Sequence, residues 1–196
     1  MSKREVVLYT DYKSPYAFVA KDPAYELEDQ FDVRLKWLPY TLNIPSYLGS
    51  VEGRNEHQWR RVRYAYMDAR RVAKRAGLTL YGTKKIYDSS LANIGLLYAD
   101  RADVLRPYND MVFERFWKHE LEIEDRHAIR SVLEEAGADT EGFFEFLDGE
   151  GRREHDRIRQ EAHEMGVFGV PTFVLDGELF WGGERIDLLK ERLREA

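Results

Sequence analysis

The chain has 196 residues, 43% hydrophobic and 34% charged, a composition that builds a globular core and excludes a disordered or fibrous protein. A net charge of −6 argues against nucleic acid as a bulk partner, because a phosphate backbone selects the opposite sign, and no apolar run approaches the ~20 residues of a membrane-spanning helix. With no cysteine there is no disulfide, no thiolate nucleophile and no thiolate metal site.

The opening residues pass from charge straight into Glu5-Val-Val-Leu-Tyr9, a β-branched and aromatic run that predicts a strand. They lack the apolar stretch and cleavage site of a secretory signal, so the expected compartment is the cytoplasm. Asp11 to Ser14 predicts a turn. Ser14-Pro15 is the N-cap and first-turn pair of a helix from about Pro15 to Gln30, because proline's missing N–H is not needed there. Val33, Leu35 and Trp37 alternate with Arg34, Lys36 and Leu38, a second strand that ends at Pro39. Strand, helix and strand in about 35 residues form a βαβ unit with a parallel pair.

The centre is helical. Trp59, Val62, Tyr66, Ala69, Ala73 and Ala76 form one stripe of a long helix over 54–76, with Gly77 as its stop. Further helices are expected at about 89–105, 107–120, 125–136, 140–147 and 152–165. β character returns with Pro171 to Leu175 and Glu178 to Trp181, which flank the two-residue hairpin signal Asp176-Gly177. A last helix is expected over 185–194. The expected division is 1–40 with 167–196 as one domain, and 41–166 as a helical insertion.

Several features carry both a plain and a functional reading. Ser14-Pro15 caps an ordinary helix, but a helix N-terminus after a strand is also where α/β folds bind anions. Pro171 suits the edge of a strand; with a cis bond before it, the Val170 backbone would face a peptide-like ligand. Trp181-Gly-Gly-Glu184 is a glycine loop, or a backbone that lies close to a ligand with Glu184 or Arg185 pairing a charged end. The helix over 54–76 holds eight basic residues against Glu56 and Asp68, +6 locally in a chain of −6, which predicts a solvated face before a wall for a carboxylate substrate. His155 and His163 lie eight residues apart, about 12 Å along a helix, too far for one metal shell, so no metal is expected.

The order of elements resembles a thioredoxin-like domain with a large all-helical insertion, as in DsbA-type disulfide oxidoreductases. Asp11-Tyr-Lys-Ser-Pro-Tyr-Ala-Phe-Val-Ala20 resembles the N-terminal motif of 2-hydroxychromene-2-carboxylate isomerases and kappa-class glutathione transferases. Asp88 to Gly95, Val112 to Trp117, Val167 to Phe173 and Trp181-Gly182 match the same group. The redox relatives carry Cys-x-x-Cys where this chain has Ser14-Pro15-Tyr16-Ala17, so dithiol exchange is excluded here.

The resemblance implies a homodimeric enzyme that imports its thiol as glutathione. Ser14 would contact the sulfur, Val170 beside Pro171 would pair with the cysteinyl backbone, and Trp181, Gly182, Gly183 and Glu184 would hold the γ-glutamyl end. Tyr87 and Asn93 would line the pocket for an aromatic or electrophilic substrate. The family's substrate loop carries a lysine, whereas this chain has none between Lys36 and Lys74; Arg54 is the substitute. A free thiol of pKa ~8.5 is only about 3% ionised at pH 7, so a helix N-terminus and a hydroxyl donor are suited to activating it. The implied activity is glutathione-dependent isomerisation of a conjugated aromatic carbonyl compound. The alternatives are a transferase that conjugates electrophiles, or a non-catalytic glutathione- or peptide-binding module.

Overall fold

A computed structural model describes residues 3–195; Met1 and Ser2, the first residues of the charged opening, lie outside it. Strand β1 (Arg4–Thr10) leads into helix α1 (Pro15–Gln30) and strand β2 (Val33–Pro39). Seven helices follow: α2 (Ile44–Leu48), α3 (Glu56–Arg75), α4 (Ser90–Arg101), α5 (Leu105–Trp117), α6 (Arg126–Ala136), α7 (Phe143–Asp148) and α8 (Glu150–Met165). The chain closes with β3 (Thr172–Leu175), β4 (Glu178–Trp181), a 3₁₀ turn over Gly183–Arg185, and α9 (Ile186–Arg194).

The sheet order is β2-β1-β3-β4. β1 and β2 run parallel from Arg4 opposite Val33 to Thr10 opposite Pro39, as a βαβ unit requires. β3 runs antiparallel to β1, with Val7 opposite Val174 and Tyr9 opposite Thr172. β2 is an edge strand, which is where Pro39 is tolerated. The β3–β4 hairpin turns on Asp176 at φ +50 and Gly177 at φ +82; two left-handed residues in succession match the twist of the flanking strands.

One apolar core runs through the sheet and the helical block. Leu8, Phe18, Phe113, Trp117 and Phe173 are fully buried, and the Phe18 ring stacks on Phe113 at 5.7 Å and on Trp117 at 6.2 Å. Burying such side chains contributes roughly 1.5–3 kcal/mol each, so this cluster fixes α5 against α1. No helix among the described residues is long and apolar enough to cross a membrane.

Three of the differences from the sequence expectation have a clear local cause. No element was assigned to the segment of α2, which is five residues long with Pro45 as its second residue, too short for a periodic signal. The helix expected over 89–105 stops at Arg101, because Asp103 takes φ +57 and α5 starts at Leu105. Pro107 is then the third residue of α5, where its missing N–H is still not needed. α5 ends at Trp117 instead of Glu120, with His119 left-handed at φ +62 and its Nε2 2.8 Å from the Gly82 carbonyl.

Candidate active site at the α1 N-terminus

β1 ends at the centre of the sheet and the chain turns over Asp11–Ser14 into α1, so α1 begins above the sheet's carboxyl edge. The Ser14 N–H bonds the Asp11 carbonyl at 2.9 Å, which closes the turn. Ser14 Oγ accepts the Ala17 N–H at 3.2 Å as an N-cap and donates a long bond of 3.4 Å to the Val170 carbonyl. Pro15 has no N–H and Phe18 N–H bonds the Ser14 carbonyl, so Tyr16 N–H is the one first-turn amide with no acceptor among the described residues. The helix dipole adds partial positive charge at the same point.

The facing wall is the segment Val167–Pro171. The Val170–Pro171 peptide is cis. Val170 N–H has no acceptor among the described residues, and its carbonyl takes only the long bond from Ser14. Thr172 Oγ1 donates to the Gly169 carbonyl at 2.7 Å, and Gly182 N–H to the Pro171 carbonyl at 2.9 Å, so the wall is anchored on both sides. Trp181, opposite Thr172 in the hairpin, packs on Phe168 with ring centroids 4.7 Å apart. The two rings are 52% and 64% exposed, an aromatic surface that a free monomer gains nothing by presenting. A Cβ at Gly169 would stand 2.7 Å from the Trp181 indole nitrogen, so only glycine admits this packing. Gly182 sits at φ +102 with the Glu184 carboxylate folded over it, and Gly183 packs against Ala20 of α1.

Beneath the turn lies a buried polar cluster. The Asp11 carboxylate is fully buried and accepts from Ser89 Oγ, from Asn93 Nδ2 at 3.2 Å and from Leu42 N–H at 2.8 Å. Lys13 Nζ stands 3.7 Å from it and donates to the Tyr87 carbonyl at 3.1 Å. Asn93 Nδ2 also donates to Thr41 Oγ1 at 2.7 Å, and Thr41 lies 2.8 Å from His155 Nε2. The carboxylate imposes the orientation of the Asn93 amide. Thr41, accepting there, turns its own proton to His155, whose proton is therefore assigned to Nδ1 facing Asp156. Burial lowers the His155 pKa, against the opposing pull of Asp156.

The structure brings Ser14, Val170 and Pro171 together and sets the Trp181–Glu184 loop beside them. Tyr87 is joined to the cluster through its carbonyl, while its ring packs edge-on against Phe116 at 5.2 Å and helps line a cavity of about 210 Å³ with Lys84 and His119. Asn93, expected to line the substrate pocket, is fully buried and spends its amide on Asp11 and Thr41, so it supports the site from below. Arg54, the expected substitute for the loop lysine, bonds the Leu48 carbonyl at 3.0 Å and lies over Trp59 at 4.8 Å. His163 bonds Tyr40 at 2.9 Å, and no cluster among the described residues has the make-up of a metal site.

Sequence reasoning placed Asp11 and Lys13 in a turn and a family motif, and Phe168 in a second matched stretch, without a role of their own; it set His155 aside as a metal ligand and gave no part to Thr41. Two opposite charges immediately before the N-cap Ser14 were the available signal for the first pair. Tyr47, on α2, was also missed. The residue is 40% exposed; desolvation still raises its pKa, and the Asp11 carboxylate adds to this, so the phenol stays protonated.

A four-stranded mixed sheet with a helical block between β2 and β3, and a cis proline facing the N-terminus of α1, defines a thioredoxin-like protein of the DsbA type. The chain belongs to the DSBA-like thioredoxin domain family, which it matches over residues 5–194. It is 24% identical over 198 residues to 2-hydroxychromene-2-carboxylate isomerase of Sphingobium xenophagum, covering 97% of this chain and 98% of that one. To the Pseudomonas putida protein of the same name it is 26% identical over 190 residues, covering 96% and 93%. A solved 2-hydroxychromene-2-carboxylate isomerase superposes with a TM-score of 0.80 at 25% identity, over 97% of this chain and 95% of that one. A probable DsbA oxidoreductase from Streptomyces coelicolor, at TM-score 0.78 and 18% identity over 98% and 89%, shares the fold.

Proposed function

We propose that this protein is a glutathione-dependent isomerase of the 2-hydroxychromene-2-carboxylate isomerase type. The observation that carries the reading is the pairing of the Ser14 hydroxyl with the open Val170 backbone at the N-terminus of α1, in a chain with no thiol of its own. Similarity to isomerases of that name over nearly the whole chain supports it. Glutathione, held by Ser14, the Val170 backbone and the Trp181–Glu184 loop, would supply the missing sulfur nucleophile for a reversible addition that lets a conjugated double bond rotate and returns the thiol unchanged.

The residues suit that ligand. Ser14 Oγ holds its proton on Val170 by a bond at the outer limit of hydrogen bonding, so the hydroxyl is free to turn to a nearby sulfur. A donor there favours the charged thiolate, as does the unpaired Tyr16 N–H at the positive end of α1. The Val170 N–H and carbonyl match the amide of an extended tripeptide, and the Glu184 carboxylate suits its terminal ammonium. Phe168 and Trp181 offer an aromatic face beside the reacting sulfur. The test is turnover of 2-hydroxychromene-2-carboxylate with free thiol counted before and after. Isomerisation with no loss of glutathione is expected; stoichiometric loss would make the protein a transferase, and no turnover of this or any electrophile would leave a binding module.

A further inference from the structure

We propose that the outer face of α3 docks the protein on an anionic membrane surface. The inference goes beyond the isomerase reading and uses no residue of the α1 site. Arg60, Tyr64, Met67, Arg71 and Lys74 follow one another at spacings of four and three, so they form one stripe along the helix, and all five are exposed. The buried Ala69 and Ala73 lie on the other side, against the core. Arg61, Arg63, Arg70 and Arg75 flank the stripe, and from Arg60 to Arg75 the row is about 22 Å long. On other helices surface arginines are matched by carboxylates: Arg115 by Glu135, Arg126 by Asp148, Arg130 by Glu134 and Arg157 by Glu161. On α3 only Arg60 and Arg63 are, and they share Glu56. Arg61, Arg70, Arg71, Lys74 and Arg75 have no carboxylate partner among the described residues, and Asp68 is taken by the Tyr16 hydroxyl. Like charges at these spacings repel, so the row costs stability until an anionic surface meets it.

The chemistry of the face selects the surface. Six of the seven cations from residue 60 to 75 are arginine, whose planar guanidinium bonds two phosphate oxygens at once. Among them stand apolar groups: Tyr64 is 57% and Met67 43% exposed in the middle of the stripe. At its far end a cavity of about 420 Å³ is lined by Arg70 and Lys74 together with Ala73, Leu78 and Leu80, so charge and hydrocarbon are accommodated side by side. A nucleic acid would set Met67 against phosphate. The headgroup boundary of a bilayer instead offers phosphate to the arginines and hydrocarbon to Met67 and Tyr64 in one plane. The overall charge of −6 does not oppose this contact, because charge more than about 10 Å away is screened at 0.1 M salt and the membrane meets the local cations.

The test is sedimentation of the full chain with vesicles of phosphatidylcholine, alone or with about one-third phosphatidylglycerol. The protein is expected to bind the anionic vesicles at low salt, to leave them at high salt and to ignore the neutral ones. Arg71→Glu with Lys74→Glu should weaken that binding by at least about tenfold. Arg153→Glu with Arg159→Glu on α8, the same change of net charge at exposed positions, should leave it within about twofold. If the α3 variant does not fold, the native protein still decides. Of the four methionines, the Met67 methyl resonance should move with bicelles containing phosphatidylglycerol, and that of Met165, exposed at the end of α8, should not. No binding to anionic vesicles, equal loss in the two double variants, an unmoved Met67, or binding of polyglutamate or single-stranded RNA in place of the vesicles would overturn the proposal. The isomerase reading is tested separately, since turnover of 2-hydroxychromene-2-carboxylate is measured without lipid.

Discussion

Ser14 serves two masters: its oxygen caps α1 through Ala17 N–H, and its proton rests loosely on Val170. Ser14→Ala should keep glutathione bound, since the Val170 backbone and the 181–184 loop are untouched. The bound thiol should titrate about one to two pH units higher, because a hydrogen bond to a charged group is worth roughly 1.5–3 kcal/mol. Loss of the cap should cost about 1 kcal/mol of stability, so melting must be checked beside the thiolate absorbance titration. An unchanged thiol pKa with full activity would reduce Ser14 to a cap. Gly169→Ala acts from the opposite wall. Its methyl group has no room beside the Trp181 indole, so tryptophan emission should shift and glutathione affinity fall several-fold. The rest of the core, which this residue does not reach, should melt as before.

At the scale of elements, α3 carries most of the local positive charge but points much of it to solvent. Arg60 and Arg63 pair with Glu56 at its first turn, while Arg71 reaches only Met67. Arg71→Glu should therefore change turnover of a carboxylate substrate by less than about tenfold, since exposed charge is screened. A larger loss that salt relieves would move α3 into the substrate site. What ties α3 to the site is Tyr16, whose hydroxyl donates to Asp68 at 3.1 Å. The strands and α1 were legible because alternation, Ser-Pro and Asp-Gly are local signals with local causes. α1 even runs through Pro23, held on either side by buried Phe18, Ala20, Ala24 and Leu27. α2 and the Arg101–Leu105 break were not legible, since five residues carry no period and the left-handed Asp103 has no glycine to announce it. Within the site, the contact of Ser14 with Val170 joins residues 156 positions apart; the resemblance anticipated a shared ligand there but not this hydrogen bond. The polar floor was invisible because Asp11, Thr41, Asn93 and His155 meet only through the tertiary fold.

Across the whole molecule, that floor couples the sheet to the helical block and makes stability depend on pH. His155 is neutral in the fold, and burial depresses its pKa below the ordinary value of about 6.5. The unfolded chain therefore binds this proton first as pH falls. The contribution is whole above about pH 6.5 and is lost as pH falls from there through the folded-state pKa. Melting temperature should drop between pH 7.5 and 5.5, and His155→Gln should flatten that slope while lowering stability at pH 7.5. A slope unchanged by the substitution would place the titration elsewhere. The Asp88 carboxyl, also depressed, acts in a separate window below its ordinary value near 3.8.

The central claim is that a chain without cysteine borrows a thiol at Ser14 and Val170. Calorimetric titration with reduced glutathione, paired with melting in the same buffer, tests it most directly. The account predicts saturable one-site binding and a rise in melting temperature, about 2.7 kcal/mol of added stability at a hundredfold excess over the dissociation constant. Millimolar glutathione that gives neither heat nor a shift in melting would contradict it.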